Sequence, residues 1–208
     1  GIFQNAAEVA AYVNKDGELL QPKAAPGDVR FVDVDGNGKI DDNDRTYIGK
    51  GIPDWSFGLN IGFEWKGLDF SMLLQGTVGN QVFNVSRRTD LYYVNLPRTI
   101  LNRWTGEGST NEYPRFTNVD PNQNWSKASD FFIKDASYFR LKNVTLGYTL
   151  PVNWTNKIFV KKFRVYVACE NALTFTKYDG FDPEIADYVD RGIYPQARTV
   201  QFGASITF

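Results

Sequence analysis

The 208-residue sequence has no histidine, one cysteine and one methionine. Without histidine the usual general base is missing, as are Ser-His and Cys-His nucleophile pairs and most transition-metal sites. A lone cysteine, Cys169, excludes an internal disulfide framework and a cysteine-rich zinc site. An excess of charge is lacking too. The net charge is −1, so no broad field marks nucleic acid as a partner. No apolar run approaches the ~20 residues of a membrane-spanning helix. That absence leaves a membrane barrel open, because barrel strands are only ~9–11 residues long and alternate in polarity. The chain starts at Gly1 with no signal-peptide pattern, and reads as a piece of something longer.

What the sequence has in quantity is aromatic: 16 Phe, 11 Tyr and 5 Trp, 15% of the chain. Many of them fall in alternating stretches. In "WSFGLNIGFEWK", residues 55–66, Trp55, Phe57, Leu59, Ile61, Phe63 and Trp65 point one way, with Ser, Gly, Asn and charged residues between them. A period of two predicts a strand with one apolar face. Lys66-Gly67 suits a tight turn, with Gly supplying positive φ. Residues 68–78 run back, with Leu68, Phe70, Met72 and Leu74 on one face. The same pattern returns at 137–151, 163–171 and 200–208. In the first of these, parity slips near Lys142-Asn143, which predicts a bulge. Five strands are therefore expected, with short connections at one end (66–67, 151–161) and long ones at the other (79–136, 177–198). Outside them, residues 5–13 predict a short helix capped by Asn5, and a helical piece is expected around Pro97–Trp104. The long segment carries Tyr92, Tyr93, Trp104, Tyr113, Phe116 and Trp125. Aromatic faces suit sugar rings, so substrate or partner contact is expected there.

A different chemistry lies at residues 33–44, "DVDGNGKIDDND". Counting Asp33 as position 1 places Asp35 at 3, Asn37 at 5, Gly38 at 6, Lys39 at 7, Asp41 at 9 and Asp44 at 12. An EF-hand-type loop takes side-chain oxygens at 1, 3 and 5, a backbone carbonyl at 7, often a water at 9 and a carboxylate at 12. The set Asp33, Asp35, Asn37, Lys39 (by its carbonyl), Asp41 and Asp44 therefore predicts a structural Ca²⁺ site, hard oxygen being wrong for zinc. Asp in place of Glu at position 12 is a departure, as in dockerin-like loops. Ile40 is expected to anchor the loop. The flanks "VRFV" and "RTYI" read as strands, which excludes a sensor-type helix pair. The bland alternative is an acidic, Asx-rich turn without metal.

Two architectures fit the strands. In a soluble sandwich the apolar face packs on a second sheet. In an outer-membrane barrel it faces lipid, and the polar face lines the lumen. Trp55 and Trp65 at the two ends of one strand, the asymmetry of short and long connections, and an apolar-out final strand ending in Phe208 favour the barrel. Five strands cannot close, and open edges are intolerable in lipid, so the rest of the barrel must come from elsewhere. Charges on the inward face (Glu64, Lys66, Asp69, Arg164, Glu170) then read as lumenal. Asp182-Pro183-Glu184 reads as a loop turn rather than a catalytic pair, Cys169 as a small hydrophobe. The chain reads as no enzyme: a glycosidase needs two carboxylates ~5–10 Å apart in a cleft, and no spacing singles out such a pair.

"GDVRFVDVDGNGKIDDNDRTYIGKGIPDWSFGLN", "SYFRLKNVTLGYTLP", "FRVYVACENALTFTKYDGFDPE" and the terminal "FGASITF" together resemble the end of SusC/RagA-like TonB-dependent outer-membrane transporters. The resemblance implies an all-β fold: the last five strands of a 22-stranded antiparallel transmembrane β-barrel with long extracellular loops. It divides the chain into an extracellular loop region, 1–54, and barrel strands with their loops, 55–208, with the plug domain outside this sequence. The implied function is active import of large nutrients, oligosaccharides or peptides, across a Gram-negative outer membrane. The implied partners are a SusD-like lipoprotein lid, the TonB complex acting through the N-terminal part, the rest of the barrel and membrane lipid. The alternative from a different class is a secreted Ca²⁺-stabilised β-sandwich that binds glycan.

Overall fold

Alternation in the sequence becomes pairing in the structure. The computed structural model describes residues 1–87 and 95–208, so Tyr92 and Tyr93 lie outside the described residues. Its strands are β1 (Trp55–Trp65), β2 (Leu68–Val78), β3 (Gln81–Asn84), β4 (Ile133–Asp135), β5 (Tyr138–Thr149), β6 (Lys162–Thr176), β7 (Val189–Asp190) and β8 (Thr199–Thr207). Five form one antiparallel sheet in the order β1-β2-β5-β6-β8. They are the five strands read from the sequence. The β1–β2 turn takes positive φ at both Lys66 (48°) and Gly67 (86°), the geometry that follows the right-handed twist of a hairpin. Lys66 therefore does not join the inward face as expected: it sits in the turn, its ammonium 5.0 Å from the Trp65 ring.

Register places most of the large apolar residues of the sheet on one side, Leu73 and Tyr166 being exceptions on the other. Phe57, Leu59, Ile61 and Phe63 lie opposite Gly76, Leu74, Met72 and Phe70. On across the sheet run Leu146 and Val144, then Val167 and Cys169, then Phe202 and Val200. These side chains are uncovered: Trp55 is 74% exposed and Phe202 84%. Fully burying one such side chain is worth about 1.5–3 kcal/mol, so a whole face of them calls for an apolar solvent. No second sheet covers it among the described residues, which removes the sandwich. Phe57 reaches over Gly76 to Phe139, and Phe139 to Phe175, with centroids 6.1 Å apart in both pairs. Phe63 and Phe70 stack at 5.3 Å toward the other end. Trp55 and Trp65 bound β1. Their ten steps at ~3.3 Å, inclined at ~45°, cover about 23 Å of depth, close to the ~25 Å apolar band of a barrel. Among the described residues no helix is long and apolar enough to cross a membrane.

The opposite face carries small and polar side chains. On β1 it is Ser56, Gly58, Asn60, Gly62 and Glu64. A Cβ added at Gly58 or Gly62 would meet only backbone oxygens, at 3.8 and 3.6 Å. The expected bulge is present and double. β5 gains Lys142 relative to β2, and β6 gains a residue relative to β5 between Glu170 and Leu173. Asn171 takes φ +50° there, which Asn tolerates better than other non-glycine residues. Past the bulge β6 keeps its phase, with Leu173 facing Leu141 and Phe175 facing Phe139, and runs on to Thr176, past the expected end at residue 171.

Two compact units divide the chain: Gly1–Gly49 with Phe83–Lys134, and Lys50–Val82 with Asp135–Phe208. The first has little regular structure. Its helix α1 (Ala6–Ala11) is capped as expected, Asn5 accepting from the Glu8 amide at 2.9 Å. The expected helix near Pro97 is a 3-10 turn, Arg98–Asn102, with Pro97 as its N-cap. The flanks of the acidic loop are not ladder strands. Val29 makes one bridge, to Ile2, and no strand forms at 45–48. Side chains replace the ladder: Asn124 Oδ1 accepts from Val29 N, Gln21 Oε1 from Phe31 N, and Gln21 and Asn122 donate to Val29 O. Asp28 is fully buried and held by Arg115 at 2.6 Å and Asn124 at 2.8 Å. A buried carboxylate needs such partners. Rings complete this core: Phe3, Tyr113, Trp125 and Phe132 are buried, with Phe131 edge-on to Tyr113 and Trp125. The long segment's aromatics were expected as faces for substrate. Tyr113 and Trp125 instead pack inside.

Candidate functional site

The acidic loop is bent by its own side chains. Asp33 accepts from the amides of Gly36 and Gly38, Asp35 from Asn37, Asn37 from Lys39 and Asp44 from Val34, all at 2.7–3.0 Å. Each is a short polar side chain bonding to a nearby amide, the reason Asp and Asn recur in turns. The sequence thus bends around its own carboxylates. Asp33, Asp35 and Asp44 end with carboxylate oxygens within 4.8 Å of one another. Gly38, with φ +85°, makes the sharp turn, and Ile40 is half-buried. Asp41 stands outside the carboxylate group: it caps the 3-10 turn Asp42–Asp44 by accepting from Asn43 N at 2.7 Å. Asn37 Nδ2 donates to Asp35 at 3.0 Å. The Asp41 amide, and those of Val34 and Asp35 against some desolvation, hold the Asp44 carboxyl below the usual range. The arrangement is a set of hard oxygen donors suited to Ca²⁺.

The second candidate is the polar face of the sheet. Asp69 on β2 and Arg164 on β6 meet across β5, at 2.8 and 2.5 Å in a bidentate pair. They can do so because the intervening residue, Gly147, has no side chain: a Cβ there would collide with both. Glu64 and Glu170 stay exposed on this face. Nearer the long connections, Arg140 is 3% exposed and spans two carboxylates, Asp182 at 2.6 Å and Glu184 at 2.8 Å. Lys142, the bulge residue, reaches Glu184 at 3.0 Å and Gln196 at 2.9 Å. The 177–198 connection is tied to the face at both ends of this cluster. Asp182 also accepts from the amides of Glu184 and Gln196, the turn read from Asp182-Pro183-Glu184. Burial pushes its carboxyl up, but those two amides and Arg140 together outweigh it and hold it below the usual range. The roles of Arg140 and Lys142 were not anticipated. The parity slip at Lys142 was the only sequence signal near them.

The polar face can offer hydrogen bonds and fixed charge to something passing along it. Within this cluster both carboxylates are neutralised by Arg140 and Lys142.

No family model matches the chain. It is 31% identical to TonB-dependent receptor P3 of Formosa agariphila over 224 residues, which takes in all of this chain and 21% of that protein. It is 32% identical to TonB-dependent receptor SusC of Bacteroides thetaiotaomicron, over 92% of this chain and 19% of that protein. Among solved structures it is similar to the RagAB peptide transporter, with TM-score 0.68 and 28% identity over 83% of this chain and 19% of that one. The open-open state of the RagAB peptide importer matches with TM-score 0.65 and 27% identity, over 85% of this chain and 20% of that one. The chain spans about a fifth of the length of the relatives it matches.

Proposed function

Because this chain belongs to the SusC/RagA-like TonB-dependent receptors, β-barrel proteins of the Gram-negative outer membrane, we propose that it forms late barrel wall and outer loops of an importer of large nutrients. The observation that carries this reading is the uncovered apolar face of five paired strands, backed by a face of small and polar side chains with ion pairs across it. The edge strands β1 and β8 leave backbone groups unpaired on one side each, which lipid forbids. Further strands of the same barrel satisfy them. The cargo is oligosaccharide or peptide. Peptide has the support of the similarity to a RagAB peptide importer; oligosaccharide stays as the second cargo class. A SusD-like lipoprotein serves as lid, and the TonB complex drives transport through parts of the protein outside this sequence.

The acidic loop belongs to this proposal as a brace. Asp33, Asp35 and Asp44, with Asn37, the Lys39 carbonyl and a water on Asp41, hold one Ca²⁺. The support is the clustering of three carboxylates in a loop bent by its own side chains. The ion would stiffen the chain ahead of β1 and has no part in transport chemistry.

The test uses the full-length receptor. It is extracted with and without detergent and run unheated and boiled on a gel. Detergent-dependent extraction with a heat shift is expected; a freely soluble protein without one overturns the reading. Uptake of labelled oligosaccharide and peptide pools by cells with and without the receptor then assigns the cargo. For the brace, terbium luminescence of the purified receptor should titrate to one site and fall at least tenfold in affinity in D33N/D44N. Equal affinity in the variant removes the ion from the loop.

A further inference from the structure

The connection between β5 and β6 is the most apolar exposed segment of the sheet's short-connection end. Pro151 starts a one-turn helix, α2 (Val152–Thr155), followed by a 3-10 turn, Asn156–Ile158. Thr155 and Val160 are buried and pin it, the Val160 amide donating to Thr155 O at 3.2 Å. What they pin is unusual for a short connection. Val152, Trp154 and Ile158 are more than half exposed, and Phe159 is 90% exposed. Phe159 also takes φ +60°, a left-handed conformation that a bulky residue adopts at a cost. Strain and apolar exposure together are an unfavourable choice in water.

Basic residues surround these rings. Lys157, Lys161 and Lys162 are exposed, and none forms an ion pair among the described residues. Lys161 donates its amide to Thr207 O at 2.8 Å, which brings the segment beside Phe208. The same end of the sheet presents Trp65, Tyr148 and Phe208, all exposed, and Lys66 over Trp65. The segment therefore continues the apolar face at the level where apolar gives way to charge. Aromatic rings with lysines snorkelling past them suit a headgroup layer.

We propose that residues 152–162 are a membrane-interface anchor that binds anionic phospholipid. Trp154, Ile158 and Phe159 sit at the acyl boundary, and Lys157 and Lys161 contact headgroup phosphates. The proposal rests on the outer-membrane reading above. In such barrels short connections lie on the periplasmic side, so the lipid is phospholipid of the periplasmic leaflet. Charge complementarity and continuity with the lipid-facing sheet favour lipid over a protein partner.

The test uses full-length receptor in neutral detergent, immobilised, with fluorescent phosphatidylglycerol and phosphatidylcholine as probes. Wild type should retain more phosphatidylglycerol, and K157Q/K161Q should lose that excess by about fivefold per lysine. F159S, which removes the ring and keeps the charge, should weaken retention of both lipids. Equal retention of the two lipids by wild type, or an unchanged K157Q/K161Q, overturns the anchor. So does a variant that keeps its lipid preference and loses energised uptake, which would make the segment a contact for a periplasmic protein. The heat shift is read on every sample: present without lipid preference, it sinks the anchor alone; absent from wild type, it sinks the outer-membrane reading as well.

Discussion

At the scale of single residues, missing side chains matter as much as those present. Gly147 is the gap through which Asp69 and Arg164 pair. Gly147→Ala forces them apart and overpacks the face, which should cost about 1–3 kcal/mol. The temperature at which the full-length receptor loses its compact gel form should drop accordingly, while Gly58→Ala, whose Cβ meets nothing closer than 3.8 Å, should hold or slightly raise it. Asp182 gives a pH dependence. Its folded carboxyl lies below the unfolded value of about 3.9, so its contribution is complete well above that value. It is lost as pH falls from about 4 through the folded value. Hydrogen exchange across 177–198, corrected for intrinsic rate, should rise on acidification below pH 4. In Asp182→Asn it should be raised already at pH 7. The turns of the acidic loop were readable from the sequence because Asp33, Asp35 and Asn37 bond amides two to five positions on. Arg140 was not, because its carboxylates lie 42 and 44 positions away and no local rule links them.

At the scale of elements, period-two alternation located all five long strands, and β2 was located to the residue. It also exposed the bulge, since an extra residue must break parity. What alternation could not show was the partner bulge on β6: relative to β2 that strand gains two residues, Asn171 and Ala172, so Leu173 and Phe175 keep the phase of Phe163, Val165, Val167 and Cys169 and parity is unbroken. Asn171 is the pivot. Asn171→Gly should be tolerated, while Asn171→Val, β-branched in a left-handed conformation, should cost about 1–3 kcal/mol and separate Lys142 from Glu184. Protease sensitivity of the 177–198 loop in the folded receptor is the readout, with Val cut faster than Gly. The flanks of the acidic loop failed as strands for a related reason. "VRFV" has strand composition, but Gln21, Asn122 and Asn124 reach its backbone first. A polar network drawn from two other segments, one of them more than 90 positions away, leaves no periodic trace.

At the scale of the whole molecule, one cut along the sequence does not separate what folds together. Residues 83–134 cluster with 1–49, because buried Asn, Asp and aromatic side chains join them. The sheet carries its own constraint. With both edges open and one face apolar, the chain expressed without the rest of its barrel should aggregate or require detergent; sedimentation in detergent-free buffer should show no monomer. The polar face has a further consequence. Glycine inside a strand costs about 0.5–1 kcal/mol, and nothing in this chain crowds Gly58 or Gly62. Their bareness serves the space in front of them rather than the sheet behind. Along β1 that face is stripped nearly to its backbone, and under the proposed import role every side chain withheld there would leave more room for a passing cargo.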